Sequence, residues 1–290
     1  MWNNIVFFPQ RRVILTGAGR YVRVFASRWL PCRQASQTDI YRGYTMELTQ
    51  TPDTTHSATS PFAALMAMFY EPTKAFGMLE TKRHSWFPLV LLMASSCVLM
   101  LWYFNVVDFA WMLDTMTASI KDPAAREQAS AMMSKSTMQT MGIAGSLVVL
   151  PLFMALYAVY FLLVAKAMNN DSFGFGAGFG LAAWSSVPSL LMLPLGAMQI
   201  MLSSNYQLTT SELNPLTLNQ LLFQYPMMHP LSGPLDMLSV PFFWSILLMI
   251  IGFQVFAKVS RATAAKVVLI PHVTVFGLWI AYALSASPAA

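Results

Sequence analysis

Hydrophobic positions along this chain gather into five runs, 86–107, 143–165, 178–203, 237–257 and 267–285, none of which holds an Asp, Glu, Lys or Arg. A helix rising about 1.5 Å per residue needs roughly 20 apolar residues to cross about 30 Å of hydrocarbon, and each run meets that length. The pattern predicts five transmembrane helices. Trp86, Trp102, Tyr103, Trp184 and Trp279 lie towards the ends of their runs, where aromatic side chains favour the interface. The third run carries Pro188 and Pro194. Each removes a backbone donor, so this helix is expected to kink or break, with Ser185, Ser186 and Ser189 placed to satisfy the freed carbonyls.

Upstream, Phe62, Leu65, Met66, Phe69 and Tyr70 recur at helical spacing, and Pro72 ends or bends that helix. Phe76 and Leu79 follow, then the basic group Lys82, Arg83 and His84. Residues 62–85 thus form an amphipathic segment that either lies along a membrane surface or packs as an ordinary helix. Residues 46–61 are polar, rich in Thr and Ser, and read as a disordered lead-in in which His56 is solvated. Residues 286–290 make a short tail.

Composition agrees with the pattern. The chain is 56% apolar and only 10% charged, with a mean hydropathy of +0.54, whereas soluble domains carry about 25% charged residues. The 22 Met and 20 Phe suit the same solvent. The net charge of +5 looks like a nucleic-acid signal until it is located. Residues 1–45 hold seven Arg and one acid, and the remainder is slightly acidic. No nucleic-acid partner is implied for the rest of the chain.

The first 45 residues contain no spanning run, and Arg20, Arg23 and Arg28 interrupt their apolar pieces, unlike a secretory signal. They read as an Arg-rich targeting peptide, or as sequence upstream of a true start at Met46; the second reading is preferred. In the loops, Lys and Arg number seven on the side holding Lys74, Lys82, Arg83, Lys166, Lys258, Arg261 and Lys266. They number three, Lys121, Arg126 and Lys135, on the other. The positive-inside rule then puts the N-terminus inside and the C-terminus outside.

The stretch FGFGAGFG, residues 173–180, poses the main question of chemistry. A phosphate-binding GxGxxG needs glycines at positions one, three and six. From Gly174 the sixth position is Phe179 and from Gly176 it is Leu181, with no acidic ribose ligand downstream. No nucleotide is implied. The stretch instead holds two GxxxG patterns, Gly174/Gly178 and Gly176/Gly180, which let helix backbones approach closely in lipid. Asn170, Asp171 and Ser172 are placed to cap this helix.

Catalysis at membrane depth needs ionisable or nucleophilic groups, and these are costly there. Asn105 and Gln254 are the notable amides, and interhelical hydrogen bonding is the role expected of them. His272, following Pro271, reads as an interfacial histidine facing headgroups rather than a titrating site. His84 belongs with the basic cluster, and His229 with a turn-rich, ordered outer loop. Cys32 and Cys97 make no metal or redox pattern. No catalytic, cofactor-binding or metal residues are assigned, and no cofactor is expected.

The segment FYEPTKAFGMLETKRHSWFPLVLL, the five-run layout and AWSSVPSLLMLP in the third run together resemble the Yip1 domain family in its bacterial branch. The likeness covers about residues 62–285. It implies five spans and a cytosolic N-terminus. Eukaryotic relatives associate with Rab-type GTPases and with one another, but their DLxGP-type signature is absent here, and Gly233–Leu235 falls in the outer loop. GTPase binding therefore does not carry over. The sequence reading is an all-α polytopic protein of the bacterial inner membrane, acting without catalysis as a scaffold through contacts with itself or other membrane proteins. The alternative is a small-solute or ion permeation protein, whose path would run along Ser185, Ser189, Gln199 and Asn105 beside the broken third helix.

Overall fold

The computed structural model describes residues 60–286 except 81, 82 and 119, all within one compact unit spanning 58–290. The expectations for residues 1–45, most of the polar lead-in, Cys32, His56, Lys82 and the tail beyond 286 lie outside the described residues.

Among the described residues the fold is helical, with an isolated antiparallel bridge, Thr217 to Ser239, in place of any strand. Ser60 precedes α1 (Pro61–Tyr70), and Glu71 is the joint to α2 (Pro72–Leu79). Proline opens both helices, where its missing amide loses nothing and its fixed φ suits the first turn. Pro72 therefore bends the chain as expected. Both helices bury one face, while Phe62, Met66 and Tyr70 of α1 stay exposed. Met68, Ala75, Phe76 and Leu79 are fully buried in the main core, and Phe76 meets Phe256 edge-on at 5.6 Å.

Five helical stretches are long and apolar enough to cross a membrane: Trp86–Val106, Lys135–Ala167, Phe175–Leu202, Val240–Ala257 and Arg261–Ser285. The first is α3 (Trp86–Val106). Two short helices follow it, α4 (Phe109–Thr117) and α5 (Pro123–Met132), each started by an aspartate cap, Asp108 on the Trp111 amide and Asp122 on the Ala124 amide.

The second stretch starts eight residues earlier than its apolar run. Ser134 caps the Thr137 amide to open α6 (Lys135–Ala144), a widened turn covers Gly145–Val149, and α7 (Leu150–Ala167) continues. The Leu150 amide reaches back to the Gly145 carbonyl, five residues away. That shift comes one residue before Pro151, which has no amide with which to continue the ordinary ladder. The 33 residues from Lys135 to Ala167 span about 50 Å at the α-helical rise. One end must stand clear of the hydrocarbon.

The third stretch breaks where its prolines predict. It consists of α8 (Phe175–Ser185), a tight 3₁₀ turn at Val187–Leu191 containing Pro188, and α9 (Met192–Leu202) with Pro194 in its first turn. The loop to the fourth span holds a second wide turn, Asn219–Phe223, and the short α10 (Ser232–Met237). Then come α11 (Val240–Ala257), capped by Ser239, and α12 (Arg261–Ala286). Arg261 and Lys266, taken from sequence as loop residues, are the first turns of α12, opened by Ser260 on the Thr263 amide at 3.1 Å.

Candidate functional site

The polar groups that the sequence singled out do not converge on one pocket. They are distributed along the joints between helices, and each joint has its own logic.

The closest joint is between α7 and α8. A methyl group placed on Gly178 would lie 2.7 Å from the Ala158 carbonyl oxygen and 2.8 Å from its Cα. Only hydrogen fits there, so the two backbones touch, as small residues permit between helices in lipid. Gly180 abuts the Ser85 hydroxyl and the Arg83 side chain, whereas Gly174 and Gly176 face open space. Each GxxxG pattern therefore contributes one working glycine, and neither acts as a pair. The expected cap from Asn170, Asp171 and Ser172 is also absent from this helix. Gly174 is the residue before its first turn and has no side chain to cap with. Asn170 instead donates to the Ala257 carbonyl at 2.8 Å, and Ser172 donates to Asn170. This ties the 168–174 turn to the end of α11.

The joint between α7 and α12 carries the most polar chemistry. Pro271 cannot donate to the carbonyl of Val267, four residues back in its own helix. Tyr160, reaching across from α7, supplies the missing donor at 2.7 Å. One turn along, His272 is buried rather than exposed to headgroups, which corrects the sequence expectation. Its Nδ1 lies 2.6 Å from the Val268 carbonyl, its Nε2 lies 2.9 Å from the Tyr157 hydroxyl, and the two rings stack with centroids 5.6 Å apart. A carbonyl only accepts, so in the neutral ring Nδ1 carries the proton and Nε2 accepts from Tyr157. Both nitrogens are then occupied. Neither a carboxylate nor a nucleophilic group completes a relay with them in the hydrogen bonds of this pair.

At the basic end, the Trp184 indole donates to the Arg83 carbonyl, and the Arg83 guanidinium stands 5.6 Å above the Phe256 ring. The segment before α3 is thus drawn against α8 and α11. At the break after α8, Ser186 donates to the Ala182 carbonyl at 2.8 Å, which its own amide already meets, rather than to the Trp184 carbonyl that Pro188 leaves without a helical donor, and the Ser185 hydroxyl is buried without a partner.

Asn105 donates back to Leu101 in its own helix at 2.7 Å and is exposed, a correction to its expected interhelical role. Two hollows are found among the described residues. One is a shallow surface hollow at the α1–α2 joint lined by Tyr70–Lys74, and the other is a narrow crevice below Tyr103. No set of three metal-ligating side chains gathers among the described residues. Sequence reasoning missed the tyrosines 157 and 160, for which the only available signal was Pro271, a carbonyl in need of a donor.

Charge is sorted between the two ends. Lys258 pairs with Glu80 at 3.1 Å, and the Asn170 bond to Ala257 joins the turn after Lys166 to the same end as Arg83. At the opposite end, Asp108 receives the Trp111 amide and the Gln207 side chain, which hold its carboxyl below the usual range.

The model of the Yip1 domain matches residues 66–284. No curated protein and no solved structure matches the chain.

Proposed function

The chain belongs to the Yip1 domain family, and from that premise we propose that it is a non-enzymatic scaffold of the bacterial inner membrane. In this reading its basic end faces the cytoplasm, and its outer helical faces collect neighbouring membrane proteins or further copies of itself. One observation carries the reading. Polar side chains of the second and fifth spans hold those helices to one another, Tyr160 on Val267 and His272 on Tyr157. Meanwhile Leu152, Phe153, Leu156 and Leu163 of α7 project outward, each more than half exposed. In a bilayer such side chains meet lipid or another protein.

The test is photo-crosslinking from single positions in native membranes. Probes at Leu156 and Leu163 are expected to capture the same protein neighbour from one face, with a probe at Val275 of α12 as the comparison. The reading fails if every position captures only lipid while liposomes holding the purified protein leak a defined solute; that result favours permeation.

A further inference from the structure

We propose that the second half of the loop between the third and fourth spans, residues 216–237, is a membrane-embedded element whose Leu221–Leu222–Phe223 tip sits in the lipid of the leaflet opposite the basic end. The proposal rests on membrane embedding and not on the scaffold reading, so either can fail without the other.

The first argument is depth. Taking Ala257, next to Lys258, as the inner edge of the hydrocarbon, the start of α11 at Val240 stands about 26 Å above it, at about 1.5 Å per residue. A bilayer core is about 30 Å thick, and any tilt of α11 would lower Val240 further. The loop is fastened at this level. Leu218 donates to Leu238 at 2.7 Å and Val240 donates to Leu216 at 3.0 Å, around the Thr217–Ser239 bridge. Further on, α10 touches α12, where a methyl group on Gly233 would meet the Trp279 ring at 3.1 Å. Trp279 lies two turns inside the end of α12 at Ala286.

The second argument is that the loop is built as backbone in lipid must be, with its polar groups satisfied internally. The amides of Gln220 and Leu221 go to Thr217, and those of Gln224 and Tyr225 go to Asn219. The Asn219 side chain, fully buried, accepts from the Tyr225 amide and donates to the Tyr225 carbonyl and to Asp236. Loop 204–236 contains no Lys or Arg. Its two carboxylates are engaged, Asp236 with Asn219 and Glu212 with the Thr209 amide and hydroxyl.

The third argument is what the clasp leaves outside. Leu221, Leu222 and Phe223 are consecutive and 50%, 70% and 48% exposed, and Met237 and Val240 at the start of the fourth span are exposed as well. The Phe223 ring stacks on Tyr225, and Tyr225 on His229. Uncharged, apolar and level with the spans, the tip fits acyl chains.

Nitroxide labels on Leu222→Cys and, separately, Phe223→Cys test this in the full chain, with Cys32 and Cys97 replaced by Ser and the protein in liposomes of phosphatidylethanolamine and phosphatidylglycerol. Thr210→Cys is the control. Both tip labels are expected to collide with oxygen several-fold more than with a water-soluble nickel chelate, and the Thr210 label to show the reverse. Nickel-dominated collisions at both tip positions overturn the proposal. So does exclusion of both reagents together with dipolar broadening or a captured protein, which would mean a second copy or another protein covers the tip.

Discussion

The two ends of the bundle hold together by different means. At the basic end close packing dominates, with the Asn170 and Trp184 hydrogen bonds beside it. Gly178 lies on the Ala158 backbone, and a methyl on Gly252 would collide with both Leu181 and the Phe76 ring. Phe76, Phe161, Trp184 and Phe253 are buried with almost no exposure. At the opposite end the core is smaller, centred on Leu99, Tyr103, Met112 and Leu213. There the joints are hydrogen bonds: Tyr103 to the Leu208 carbonyl at 2.7 Å, the Asp108 amide to Tyr206 at 3.1 Å, and the Asn219 clasp. Close packing serves where helices run side by side in lipid. Side-chain bonds serve where loops must be fixed without helical partners.

The comparison is broken hardest at Phe76. Phe76→Ala empties a site between α2 and α11 and is expected to cost about 3–5 kcal/mol; limited proteolysis should then cut around residues 70–83, where the parent resists. Gly178→Ala comes next. Its methyl meets backbone, which cannot yield, so a loss of about 1–3 kcal/mol is expected, read as a lowered unfolding midpoint in detergent. Gly176→Ala, facing open space in the same helix, should leave that midpoint unchanged or raise it. Equal effects at the two glycines would refute the α7–α8 joint.

Tyr160→Phe removes one bond between helices. Such bonds average about 0.6 kcal/mol in a membrane protein. The loss should be small and should shrink further in a Pro271→Ala background, where the Val267 carbonyl regains its own helical donor. A double-mutant cycle measures this directly. The smallest effect concerns pH. The Asp108 carboxyl is held below its ordinary value of 3.8 by the Trp111 amide and then by the Gln207 side chain. Its contribution is full above that ordinary value and is lost as pH falls through the lower folded one. Trp111 fluorescence should therefore change on acidification below about pH 4, and Asp108→Asn should remove that change.

Much of this was legible because a bilayer imposes a single strong requirement on sequence. Unbroken apolar runs found all five spans, and Pro188 located the break in the third. Span ends were less legible. Lys135, Gln139, Arg261 and Lys266 mark polar surroundings, yet a helix capped by Ser134 or Ser260 continues straight through them. Rotation about a helix axis was not legible at all. Nothing in FGFGAGFG says that Gly178 and not Gly176 meets a neighbour, and a lone histidine does not declare whether it faces Tyr157 or lipid. For the same reason Asn105, an amide with several partners in principle, turned back on its own helix.

The central claim is that the end rich in Lys and Arg and the end poor in them lie on opposite sides of one membrane. Single cysteines at Ala262 and Thr210, both exposed, in a chain with Cys32 and Cys97 replaced by Ser, test it in intact cells with a membrane-impermeant maleimide. The account predicts that Thr210→Cys is labelled at once and Ala262→Cys only after the membrane is opened. Labelling of both from the same side would contradict it.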